Sequence, residues 1–203
     1  MSLKLLLGHY PASEPLLSHI RSLCERTSAV SSEPQVKSYP DAVYFNYFPV
    51  GLSLLFKPVN GYKPKTGLKR EDLDDDALVL DGIDIYNIPQ PKSGSSSATH
   101  KSPYSTYPLG DFALDLVQIP DKSRPAAMQV TRTTTGKEFV STMGEPERKG
   151  GGAGPSSGSI GIWCEWSKDG IMVEFGGDES RGPQAWEKGK DAAWKVISVF
   201  PPS

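Results

Sequence analysis

Gly154-Pro-Ser-Ser-Gly158 has the spacing of a nucleophile elbow, in which a tight strand-to-helix turn lifts a serine hydroxyl clear of the backbone for attack. The flanks do not fit: a glycine tract stands where the strand belongs, and a β-rich run, Ile160 to Trp166, stands where the helix belongs. No catalytic serine is therefore expected. The tract also lacks the Gly-Lys-Ser/Thr ending with which a phosphate loop grips a nucleotide. Asp72-Leu-Asp-Asp-Asp76 opens like a calcium loop, but Ala77 fills the position of the turn glycine and Ile83 that of the bidentate glutamate. It reads as a solvated acidic loop. His9, His19 and His100 stand alone, and His19, within Leu17-Ser-His-Ile20, reads as a helix-surface histidine. Cys24 and Cys164 are too few and too far apart for a disulfide framework, with no Cys/His cluster beside either. No acid–base pair, metal site or cofactor is expected.

Composition narrows the elements that could position any site. Gly 20 and Pro 18 exceed their usual combined share of about 12%, and the mean hydropathy is −0.39. Many turns and short strands follow, not a helical bundle. Lys+Arg 22 against Asp+Glu 24 gives a charge of −2, so the balance offers nothing to nucleic acid or to an anionic membrane surface. The apolar run Leu5-Leu-Leu7 is too short for a secretory signal, and no stretch reaches the eighteen or so residues of a membrane span. A cytoplasmic, soluble chain is expected.

The sequence matches itself. Val43 to Phe56 lies without a gap on Ile162 to Phe175, so that Gly51 meets Gly170 and Phe56 meets Phe175. A Glu-Pro followed by lysine precedes each block (Glu33-Pro34 with Lys37, Glu145-Pro146 with Lys149), and a β-rich run follows each, Ile83 to Tyr86 and Ile197 to Phe200. Read as hairpins, both blocks point the same face inward: Val43, Phe45 and Tyr47 in one, Ile162, Cys164 and Trp166 in the other. Cys164 is thus expected to be a small core residue. A helix is expected before each block, starting near Ser13-Glu14-Pro15 with Leu16, Leu17, Ile20, Leu23 and Cys24 at helical spacing, and at the capping-box sequence Thr135-Gly-Lys-Glu138. Phe112 to Ile119 alternates like a further strand. The fold class that follows is α+β: two pseudo-repeats of helix, β-hairpin and strand, forming antiparallel sheet with helices on one face. Residues 1–88 form the first unit, 89–104 a flexible Ser/Gly/Pro linker, and 105–203 the second unit.

The repeated helix, Glu-Pro loop, hairpin and strand resembles the β-lactamase inhibitor protein architecture and the related small outer-membrane assembly lipoproteins, chiefly through Thr135 to Pro146, Trp163 and Gly170 to Phe175. The resemblance implies a two-unit binding scaffold with a long concave sheet, and it transfers no binding residue. On the face opposite the helices the alternation places Tyr44, Asn46, Tyr86, Trp163 and Glu165, and aromatic residues on an uncovered sheet anchor interfaces. The expected function is binding of a protein or small ligand on that face. The alternative is an enzyme of unrecognised class with a polar site between the two repeats, drawing on Asn46, Glu165 and Glu174.

Overall fold

A computed structural model describes residues 2–27, 33–88, 102–118, 124–152 and 161–203. The elbow-like motif at 154–158, His100 and residues 89–101 of the linker segment lie outside the described residues. The protein is α+β, with antiparallel sheet throughout, and it divides into compact units Leu3–Leu109 and Gly110–Ser203.

In the first unit α1 (Glu14–Thr27) carries proline in its first turn, where the missing N–H costs nothing, and buries Leu16, Ile20 and Leu23 along one stripe. Four strands follow: β1 (Gln35–Tyr39), β2 (Ala42–Tyr47), β3 (Leu52–Pro58) and β4 (Leu78–Tyr86), paired antiparallel in chain order. Val43, Phe45, Leu52, Leu54, Phe56, Ile83 and Ile85 are buried on one face, as their alternation requires. β1 was not expected. Its residues, Gln-Val-Lys-Ser-Tyr, carry little apolar signal because it pairs on one side only, through β2, and a lysine suits such an edge.

The second unit begins with a separate two-stranded sheet, β5 (Asp111–Asp115) and β6 (Ala127–Thr131). Next come α2 (Gly136–Met143), the edge strand β7 (Arg148–Gly150), β8 (Trp163–Trp166), β9 (Ile171–Phe175), the short α3 (Ala185–Lys188) and β10 (Trp194–Val199). β7, β8, β9 and β10 pair antiparallel in that order. Phe139 of α2 packs on Trp166 and Phe175, closing the core. The buried Asp169 carboxylate accepts from the Val117 N–H at 2.8 Å and from the Arg124 guanidinium, which ties the β5–β6 connection to the β8–β9 turn.

The two hairpins share their pairing offsets. Phe45 lies opposite Leu54 as Cys164 lies opposite Val173, and Tyr47 opposite Leu52 as Trp166 opposite Ile171. Each turn is a three-residue 3-10 helix ended by a left-handed glycine, Gly51 at φ 56° and Gly170 at φ 62°. A Cβ there would also strike the backbone oxygen of Ser105 or Phe200, so glycine is required twice over. A bulge follows at the same place in each: Leu55 pairs with Gly82 and Phe56 with Leu80, while Glu174 pairs with Val196 and Phe175 with Trp194.

One difference between the units changes what a face presents. The Glu-Pro segments align in sequence, yet their strands are offset by one residue: Lys37 lies opposite Tyr44, and Lys149 lies opposite Cys164, the counterpart of Phe45. A one-residue shift turns a side chain to the other face. Val36 therefore stands beside Phe45, whereas Lys149 stands beside Cys164.

Candidate ligand-binding cleft

The residues expected on the outer sheet face do lie on that face, in different circumstances. Asn46 is only 6% exposed. Its carboxamide oxygen accepts from the Ser53 hydroxyl at 3.0 Å and from the Tyr104 phenol at 2.6 Å, and its amide donates to the Gln35 carbonyl. Tyr104 stacks flat on Tyr86, ring centroids 3.7 Å apart, and meets Phe48 edge-on. The first unit's face is thus covered around Asn46 and Tyr86 by the chain itself. Tyr44, half-buried, meets Tyr39 edge-on. In the second unit Trp163 is half-buried, lying against Gly150, where a Cβ would collide with its indole. Glu165 is paired with Arg148 and accepts from Ser167 at 2.5 Å, and Glu174 is paired with Lys195 at 2.9 Å. The three polar groups of the enzyme alternative are therefore each engaged by neighbours in their own unit.

The helix-side face carries the cavities. In the first unit a recess of about 220 Å³ lies beside α1 and the Glu33-Pro34 segment, over Phe45 and Tyr47. Arg70 lines it from above Phe45. The guanidinium carbon sits 4.8 Å above the Phe45 ring, and Asp75 fixes the group with two hydrogen bonds of 2.7 and 2.5 Å. The acidic run read as a solvated loop therefore supplies the carboxylate that orients this arginine, and the Asp75 bond raises the guanidinium pKa further.

In the second unit the corresponding recess is larger, about 380 Å³. It lies between α2, the Glu145-Pro146 segment and the segment around α3, and its lining is mostly apolar: Val140, Ile162, Cys164 and Phe175, with Trp186 beside them. The volume falls at the small end of the range that small-molecule sites occupy. Cys164 stands where the first unit has phenylalanine, and Trp186, 47% exposed, lines the cleft from the insert after β9 as Arg70 lines the first unit's recess from the insert after β3. Burial pushes the Cys164 thiol up to about 11, with Lys149 pulling down and Glu145 pushing up. It is a neutral wall, not a nucleophile.

No family model, curated protein or solved structure matches this chain.

Sequence reasoning placed Cys164 on the inward face and stopped there. The aligned pair Phe45/Cys164 was the available signal, since it removes most of a side chain from one of two matched cores. The read of His19 as a surface residue is corrected: it is 7% exposed, its Nε2 lies 3.2 Å from the Tyr107 hydroxyl, and burial lowers its pKa. Among the described residues no group of three His, Cys, Asp or Glu side chains converges as a metal site, and no helix is long and apolar enough to cross a membrane.

Proposed function

We propose that this chain is a ligand-binding protein built from two copies of one α+β unit, in which the second copy holds the binding site and the first has it narrowed to a smaller recess by its own side chains. One observation carries this reading: at matched register positions the first unit has Phe45 under the Arg70 guanidinium, and the second has Cys164 under an apolar cleft of about 380 Å³. A concave, mostly apolar cleft with a few polar groups at its edge is the usual form of a small-molecule site. The shared offsets, left-handed glycines and bulges support descent from one unit. The likeness to β-lactamase inhibitor scaffolds fits a binding role. The cover that Tyr104 places on Asn46 and Tyr86 favours the cleft over the outer sheet face as the site.

N-phenyl-1-naphthylamine, a neutral apolar probe that fluoresces on leaving water, tests this reading. The wild-type chain is expected to bind it at one site, and Cys164→Phe, which restores the first unit's side chain, to abolish that binding while the protein stays folded. Ser141→Trp, which fills the cleft from the exposed surface of α2, provides a second block outside the core. Probe binding that survives both variants would refute the cleft as the site.

A further inference from the structure

We infer that the ligand of the second unit's cleft is an anionic amphiphile: a compact, planar apolar body bearing one carboxylate or sulfonate group. This rests on the cleft being the binding site and adds the chemistry that the rim selects. The floor is made by Ile162, Cys164 and Phe175, none of which offers an ionised partner at neutral pH. Trp186 supplies an exposed aromatic surface beside it. Three lysines, Lys137, Lys149 and Lys190, line the cleft together with one acidic residue, Glu145.

The carboxylates nearest to these lysines in sequence are turned to other partners or lie outside the lining. Glu138 is drawn to the start of α2, where it accepts from the backbone N–H and hydroxyl of Thr135, both at 2.8 Å, and these bonds lower its pKa. Glu147 reaches toward Lys168 at 3.8 Å. Glu187 and Asp191 stand outside the lining. Lys149 is present because of the one-residue offset that sets it opposite Cys164, where the first unit has Val36 opposite Phe45. Its ammonium lies 5.8 Å from the centre of the Trp186 ring, so the charge is held beside the aromatic surface. The second unit thus differs from the first by two coupled changes: the aromatic wall is cut back to a thiol, and a cation is turned inward. A neutral apolar ligand would need only the first change. A ligand with an anionic end makes use of both.

Two naphthylamine probes separate this inference from the reading beneath it. N-phenyl-1-naphthylamine is neutral, and 8-anilino-1-naphthalenesulfonate has the same aromatic body with a sulfonate added. The expected result is that the sulfonate binds about tenfold tighter at low salt, the gain of two partly exposed ion pairs. That gap should close in the triple variant Lys137→Ala, Lys149→Ala, Lys190→Ala and at about 1 M salt, where the screening length falls to about 3 Å. The neutral probe should still bind in both cases, so that the gap between the two probes, and not either affinity alone, reads the charge. If the neutral probe binds in a manner blocked by Ser141→Trp and the sulfonate binds no tighter, the anionic class is wrong and the cleft stands. If the sulfonate binds equally well to Ser141→Trp and Cys164→Phe, it is held elsewhere and the inference is overturned. If neither probe responds to the blocking variants, the cleft reading fails and takes the inference with it.

Discussion

Phe45 and Cys164 hold the same position in their hairpins, yet the Arg70 guanidinium rests 4.8 Å above the Phe45 ring while the cleft beside Cys164 stands open. The pairing partners Leu54 and Val173 are equally buried, so the contrast lies in this one side chain and in what the following insert places over it. Removing Arg70 and cutting Phe45 back to cysteine should make the first unit resemble the second. Arg70→Ala alone is expected to cost about 1 kcal/mol, from a cation–π contact and a partly screened ion pair with Asp75, and to leave one neutral-probe site because Phe45 remains. The double variant Arg70→Ala, Phe45→Cys should raise the number of neutral-probe sites from one to two, read by fluorescence titration. An unchanged stoichiometry in a folded double variant would mean that these two side chains do not fill a matching site.

The inward faces carry the stability. Phe56 is fully buried and touches Phe45 at a ring separation of 4.8 Å. Phe56→Ala should cost on the order of 3–5 kcal/mol through lost burial and a residual cavity. Trp163 is only half-buried on the opposite face, so Trp163→Ala should cost clearly less. Denaturant unfolding of the two variants checks the order, and a Trp163→Ala loss as large as that of Phe56→Ala would show the outer face of the second unit to be core.

His19 gives a pH signature. Its pKa is lowered by burial first and by the chain's N-terminal charge second, so the folded state resists taking up the proton that the unfolded state accepts near pH 6.5. The stability linked to His19 is therefore complete above about pH 6.5. It falls as the pH drops below that value, and levels off once the folded-state pKa is passed. His19→Gln should flatten this part of the stability profile between about pH 7 and 5. A profile that keeps its slope in the variant would assign the effect to other groups.

The two thiols should differ in reactivity. Burial raises both, and Cys164 reaches about 11, so about one molecule in a thousand carries the Cys164 thiolate at pH 8. Cys24 is half-exposed on α1. Mass spectrometry after mild iodoacetamide treatment should find Cys24 alkylated first and Cys164 protected, further so with a cleft ligand present. Prompt alkylation of Cys164 would contradict its neutral, largely buried setting at the cleft floor.

What could be read from the sequence is what side-chain periodicity encodes. The alternation from Val43 to Phe56 gave the buried face because one side of the sheet is packed, and the aligned glycines gave the turns because positive φ excludes most other residues. β1 and β7 escaped notice because edge strands pair through backbone groups that every residue carries. His19 was misplaced because its cover, Tyr107, arrives from 88 residues away. The cleft was hidden for a related reason. Its floor is a matched position with a smaller side chain, but Arg70 beside one recess and Trp186 beside the other come from polar inserts with no common pattern, so only the folded chain shows that one recess is narrow and the other wide.

The most direct test of the central claim is chemical-shift mapping of the nitrogen-15-labelled chain during titration with N-phenyl-1-naphthylamine. The account predicts that the perturbed amides cluster around the cleft, at Gly136 to Ser141 of α2, at Lys149 and Cys164, and at Trp186 and Gly189. Perturbations that map instead to the outer face at Trp163, Glu165 and Met172, or to the first unit around Phe45, would contradict it.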